Sequence, residues 1–401
     1  MTFPTTLRVN IPNLAFCLIF IFFSDISLAM AHNNYVEIPI YFVSDRISMH
    51  HRFDKQSFEQ VTTGQHVRFG RINVRVKTSP TDTLDANILS KLNWKVTTSS
   101  NNQSLSIVDQ FHQTPEAYMA YGSPNPNSKL FNKNIDLIDD FINTFEKYVK
   151  NQTQAKFILF IHGCCLNINE TFQTAGEIAL NTKLPVLIFD WATPGRSQAP
   201  IIPEINAYRK SERALEISYH NFHDFMLFLA PYTKRYKCIL IGHSMGNRLI
   251  YNELLRWCDH TNLYFDEMQW IAADKSLPAF LMEQNNICKF ARRVYIFTDK
   301  SDPWLKLSQN LSSDVPRLGL SSQFFELGQN FNELYLDYPE NRYFIDVDAL
   351  KLKHNLPFRL IDKLINSDLA DSADFTFQDV SAELGKHVLI LKEKSPKQMG
   401  L

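Results

Sequence analysis

Residues Cys238-Ile239-Leu240-Ile241-Gly242-His243-Ser244-Met245-Gly246-Asn247-Arg248 frame the reading of the whole chain. The apolar run 237–241 is predicted to be a short buried strand; it ends in G-x-S-x-G, after which Leu249, Ile250, Leu254 and Leu255 recur at helical spacing. A strand that passes into a helix over so few residues forces the central serine into a strained backbone, and glycines must flank it because a Cβ there would collide. Gly242 and Gly246 meet that demand, which makes Ser244 the candidate nucleophile. Glycine is scarce, 12 in 401 residues. A chance G-x-S-x-G is therefore expected in only roughly a few per cent of chains of this kind, and an incidental surface serine is the weaker reading.

Strands and helices are predicted to alternate on both sides of this turn. Upstream, 35–43 and 66–76 read as strands, the second a half-buried edge, and they precede any helical pattern. An amphipathic helix is expected over 134–150, a buried strand over 156–161, a helix over 171–181, a strand over 185–189 and a long helix over 204–229. Downstream, strands are expected at 268–272, 292–297 and 342–347, with a helix at 357–365. The order implies an α/β-hydrolase fold: a mostly parallel central sheet wound by right-handed crossovers, helices on both faces and an antiparallel N-terminal lead-in. The domain is expected over 32–373, with 77–134 an irregular connecting region and 374–401 a C-terminal tail whose apolar run Val388–Leu391 has no assigned place.

The first 31 residues read as a leader: Arg8, then the apolar run 14–23, then Ala29-Met30-Ala31 at signal-peptidase spacing. Export with cleavage after Ala31 is the expectation, and an uncleaved N-terminal membrane anchor the alternative; the run is short for a span and Asp25 closes it. Loss of Cys17 with the leader leaves Cys164, Cys165, Cys238, Cys258 and Cys288, an odd set without framework spacing. No Cys/His spacing resembles a zinc site, so no metal or cofactor is expected. A net charge of −1 gives no pull toward nucleic acid, and 45% hydrophobic composition is ample for a large core.

A serine hydroxyl needs a base, and the base needs an acid to hold its tautomer, in the chain order Ser, then Asp or Glu, then His. His354, in a loop after the strand at 342–347, is the preferred base, with His387 the alternative. Asp302, just past the strand at 292–297, is the preferred acid, with Asp299 and Asp274 the alternatives. His162-Gly163 ends the strand at 156–161, so the backbone N–H of Cys164, with that of Met245, is expected to form an oxyanion hole.

With these residues in view, the chain resembles a family of bacterial α/β hydrolases, largely of unknown function and often described as esterase-like or lipase-like. The resemblance spans roughly residues 35 to 368. It is carried by Tyr41-Phe42-Val43-Ser44-Asp45-Arg46, Phe69-Gly70-Arg71, Phe160-Ile161-His162-Gly163, Phe189-Asp190-Trp191, Pro194-Gly195, the elbow through Arg248, Ala272-Ala273-Asp274, Asp302 with Leu305 and Ser308, Arg317-Leu318-Gly319, and His354. It implies Asp302 and His354 as the partners of Ser244. Where such proteins follow His-Gly with an aromatic residue and an asparagine, this chain has Cys164-Cys165. The expected activity is hydrolysis of a small-molecule or lipid carboxylic ester through an acyl-enzyme. The reading from a different class is an inactive hydrolase scaffold used as a binding module, which the altered hole sequence keeps open.

Overall fold

A computed structural model describes residues 33–46, 63–77, 95–99, 117–120, 129–151, 155–194, 202–257, 263–322, 339–366, 375–379 and 388–393. The leader at 1–31, Cys258 and the alternative base His387 lie outside the described residues. The strands are β1 (Asn33–Arg46), β2 (Thr63–Lys77), β3 (Lys95–Ser99), β4 (Ala117–Ala120), β5 (Lys156–Ile161), β6 (Val186–Asp190), β7 (Lys237–His243), β8 (Phe265–Ile271), β9 (Ala291–Thr298), β10 (Arg342–Asp346), β11 (Phe375–Asp379) and β12 (Val388–Glu393). The helices are α1 (Lys129–Lys150), α2 (Ile168–Thr182), α3 (Ile202–Arg235), α4 (Gly246–Arg256), α5 (Leu277–Cys288), α6 (Pro303–Leu311) and α7 (Phe358–Asn366).

The strands form one sheet in the order β11-β12-β10-β9-β8-β7-β5-β6-β1-β2-β4, with β3 beside β1. From β1 through β6, β5, β7, β8, β9 and β10 to β12 every pairing is parallel. The antiparallel lead-in is β1 on β2. The fold is that of an α/β hydrolase.

Alternation along β5 explains why its sequence is apolar throughout. Phe157, Leu159 and Ile161 join one core layer with Phe145 of α1, Phe222 and Phe225 of α3, Leu249 of α4 and Phe280 of α5. Ile158 and Phe160 join the opposite layer with Phe172 and Ile178 of α2 and Leu360 and Leu364 of α7. A parallel sheet covered on both faces buries every side chain of its central strands, so the period-two pattern vanishes there.

Several boundaries differ from expectation. β2 is not an edge, because β4 pairs with its stretch His66–Phe69. α2 begins at Ile168, where Asn167 and Glu170 form a reciprocal capping box that satisfies two otherwise orphaned N–H donors. α3 runs on to Arg235 through Pro231. Burial of Leu229, Ala230, Thr233 and Tyr236 outweighs the hydrogen bond a mid-helix proline removes. The segment 374–401 is more than a tail: β12 lies parallel to β10 and β11 antiparallel to β12. Val388 and Leu391 are buried there, in a long-range pairing that local sequence pattern cannot display. Among the described residues no helix is long and apolar enough to cross a membrane.

Candidate active site

The site is built on the turn from β7 to α4. Ser244 has φ 51°, a left-handed conformation that costs a non-glycine residue about 1–3 kcal/mol. The strain is held by a cage of hydrogen bonds. Ser244 N donates to Ile271 O at 2.9 Å, and the Ser244 carbonyl accepts from Asp274 N at 3.1 Å and Asn247 Nδ2 at 3.2 Å. Asn247 Nδ2 also reaches Ile271 O at 3.2 Å, so β7, β8 and α4 are all tied at this point. Gly246 is required because a Cβ would fall on the His162 carbonyl oxygen and stand 2.8 Å from that of Ile161.

Ser244, His354 and Asp302, from three separate segments of the chain, stand in one hydrogen-bonded row. His354 Nε2 is 2.9 Å from Ser244 Oγ, and His354 Nδ1 is 2.7 Å from Asp302 Oδ2. Asp302 caps α6, its Oδ1 accepting from Trp304 N at 2.9 Å and Leu305 N at 3.0 Å while Oδ2 faces the histidine. The carboxylate is thereby fixed without a second ion. His354 has φ 83° and is braced from behind by His243, whose Nε2 lies 3.0 Å from the His354 carbonyl. A carbonyl only accepts, so His243 Nε2–H donates. Burial, reinforced by His354, pushes the His243 pKa down to about 3, so it serves this role as a neutral ring.

The two alternative acids are engaged elsewhere. Asp299 Oδ1 accepts from the backbone N and the hydroxyl of Ser301. Asp274 forms ion pairs with Arg248 at 3.0 Å and Arg317 at 3.3 Å, and accepts from the hydroxyls of Tyr208 and Ser308. Burial would raise the Asp274 pKa, but the two guanidinium charges and the hydroxyl donors outweigh it and hold the group below its ordinary value. This cluster ties the elbow helix to α3 and α6 and contributes to the wall of the cavity.

Cys164 and Cys165 follow β5 and line that cavity together with Tyr208, Ser244, Trp304, Leu305 and His354. Gly163 is pressed against the elbow, since a Cβ there would lie 2.8 Å from Ser244 Cβ. Met245 is fully buried at the base of α4. Of the two residues expected to supply oxyanion N–H groups, Cys164 thus lines the same cavity as Ser244, and Met245 follows Ser244 directly in the chain.

Behind the β5 turn lies a buried charge network that the sequence showed only as separate motifs. His162 Nδ1 donates to Gly163 O at 2.8 Å, the His162 ring stacks on Trp191 at 5.5 Å, and Trp191 Nε1 donates to His162 O at 2.8 Å. His162 Nε2 is 3.2 Å from Asp190 Oδ1, and Arg46 Nε reaches both oxygens of Asp190 at 2.9 and 3.0 Å. Arg46 also donates to Thr193 O at 2.7 Å and Leu166 O at 3.3 Å, so the Ser44-Asp45-Arg46 motif splints the turn that presses on Ser244. The signal was present in Asp190-Trp191 and in Arg46, but a role shared across 144 residues is not visible locally.

Burial would raise the Asp190 pKa; the Arg46 charge and the His162 contact bring it down to about 2. A carboxylate depressed on folding stabilises the protein above its unfolded pKa, near 3.8, and that stability is lost as pH falls through the folded value. The stability gap between the parent chain and Asp190→Asn should therefore shrink by about 2 kcal/mol between pH 4 and pH 2, measured by urea unfolding. A gap that does not change over that window would contradict the ion pair.

Residues 139–326 match the family described as "Alpha/beta hydrolase of unknown function (DUF900)". Neither the curated proteins nor the solved structures contain a match. The matched segment begins inside α1 and ends beyond α6, so it includes Ser244 and Asp302 and stops short of His354. The chain has the α/β-hydrolase fold and is similar over residues 139–326 to a family of unknown function.

Proposed function

We propose that this chain is an exported serine hydrolase that cleaves carboxylic esters. The observation that carries the reading is the row Ser244 Oγ, His354 Nε2, His354 Nδ1, Asp302 Oδ2, with separations of 2.9 and 2.7 Å, set on a serine with φ 51°. Ser244 Oγ attacks the ester carbonyl as His354 Nε2 takes its proton, and Asp302 holds the proton on Nδ1 and stabilises the imidazolium. The tetrahedral oxyanion accepts hydrogen bonds from the N–H groups of Cys164 and Met245. His354 then gives its proton to the departing alcohol, and a water deprotonated by the same ring releases the acid from Ser244. Export rests on the leader at 1–31.

The test is labelling of the exported protein, under reducing conditions, with a fluorophosphonate, which reacts with a serine only when its base and oxyanion donors are in place. Labelling should occur in a chain whose N-terminus reads His32 and should vanish in Ser244→Ala. A folded, reduced protein that resists the probe would refute the enzymatic assignment; an intact Met1 on exported material would refute the cleavage.

A further inference from the structure

We propose that Cys164 and Cys165 are a modification site, a dithiol that a peroxide converts to a disulfide between neighbours, and that the conversion closes the serine site; the second clause rests on the function proposed above. In an extended chain successive side chains point to opposite sides. Here Cys165 has φ 64°, which folds the chain back and sets the two sulfurs 2.8 Å apart. The pair lines the same cavity as Ser244, and it occupies the turn that presses on Ser244 through Gly163.

The two thiols differ in access in the way such a reaction requires. Cys164 is part-exposed at the cavity, whereas Cys165 is buried at 6% exposure. Cys164 sulfur attacks hydrogen peroxide, the O–O bond breaks, and a sulfenic acid and one water form. Cys165 sulfur then attacks the sulfenic sulfur, expels the hydroxyl as a second water and forms the S–S bond, so that two thiols lose two electrons and the peroxide gains them. The other described cysteines are poor competitors. Cys238 and Cys288 lie fully buried in the core, where burial pushes the Cys288 thiol up to about 12 and the Cys238 thiol well above its ordinary value.

Adjacent Cα atoms are about 3.8 Å apart across a trans peptide, while disulfides ordinarily join Cα atoms about 4.4–6.8 Å apart. A bond between neighbours therefore closes a small strained ring that contains their peptide group, and strained disulfides are the readily reduced, regulatory kind. Closing that ring draws the sulfurs together from 2.8 Å to about 2.05 Å, and the movement falls on the turn that carries the Cys164 N–H. Gly163, the residue before the pair, is packed against the elbow: a Cβ there would lie 2.8 Å from Ser244 Cβ and 2.9 Å from His243 Nδ1.

The experiment treats the full chain with hydrogen peroxide, alkylates the remaining thiols, and weighs the peptide containing residues 164 and 165, with fluorophosphonate labelling of the same samples before and after dithiothreitol. The expected result is a peptide about 2 Da lighter that refuses alkylation until reduced. Its labelling should be slower on the order of a hundredfold, the effect of losing one oxyanion donor, and should recover with reductant. In Cys164→Ser, which removes the thiol that meets the peroxide, no such disulfide forms, and the ratio of labelling rates with and without reductant returns to one, whatever the basal rate of that variant. Persistent alkylation of both thiols after peroxide overturns the proposal, as does a disulfide that leaves labelling unchanged. In a chain that never labels, the proposed function has failed, and the peptide mass by itself decides the modification.

Discussion

Ser244→Ala and His354→Ala should each lower ester turnover on the order of a million-fold, and the double variant should be no worse than either alone. The reason lies in the geometry. With His354 Nε2 2.9 Å from Ser244 Oγ, neither group performs its step without the other: the hydroxyl is a weak nucleophile until deprotonated, and the water the imidazole later deprotonates attacks an acyl group that only Ser244 can carry. Free energies of independent groups would add, and the double variant would then fall far below either single one. Residual activity in all three variants should converge on the contribution of the oxyanion donors and substrate binding alone. The comparison requires turnover and a urea midpoint for each protein, since Ser244 also sits at a strained turn. Multiplicative losses in the double variant would show that the two residues do not act as a unit.

Asp302→Asn should cost about ten-thousand-fold in kcat while leaving stability nearly unchanged. Asparagine caps a helix as well as aspartate does, so its oxygen can keep the contacts to Trp304 N and Leu305 N. Its amide NH₂ would then face His354 Nδ1 and donate to it. That places the imidazole proton on Nε2, pointing at Ser244 Oγ, and a nitrogen carrying a proton cannot accept one. Asp274→Asn should behave in the opposite way. It leaves Arg248 and Arg317 buried against a neutral group, with a loss of about 3–5 kcal/mol in urea unfolding and a far smaller direct effect on the chemical step. If Asp302→Asn stayed within tenfold of the parent while Asp299→Asn abolished turnover, the acid would be Asp299.

The elbow was legible in the sequence because its constraints are local. Gly242, Ser244 and Gly246 lie within a few residues and form one short motif; a Cβ on Gly242 would meet Asn247 and Ile250 of the helix that follows, and one on Gly246 would meet the β5 carbonyls of Ile161 and His162. The parallel strands were legible for a related reason, since burial on both faces leaves an apolar run such as 156–161 that no solvent-facing element tolerates. The extra length of α3 beyond Leu229 was not, because Pro231 is an unfavourable residue whose cost is met by tertiary burial. The second half of the N-terminal pairing, β4 on β2, was equally hidden: Ala117–Ala120 is too short to carry a pattern.

The acid shows where the boundary falls. Sequence placed Asp274, Asp299 and Asp302 at strand ends, three carboxylates of equal chemical competence, and ranked them only by position. Their roles separate in space. Two arginines neutralise Asp274, Ser301 occupies Asp299, and Asp302, held by its own helix cap, points its other oxygen at His354. The Arg46–Asp190–His162 splint and the brace from His243 to the His354 carbonyl belong to the same class, contacts between groups brought together by the sheet.

Sequence alone determined the α/β alternation, the elbow and the identity of its serine, because sterics and burial act on neighbouring residues and leave their record in neighbouring letters. Only the tertiary structure decided which aspartate faces the histidine, what holds the β5 turn against Ser244, that Val388–Glu393 completes the sheet, and that Cys164 and Cys165 face each other across 2.8 Å at the cavity wall. Electrostatic and hydrogen-bonding contacts act over a few ångströms of space, and the chain distance between the groups they join is set by the order of strands in the sheet.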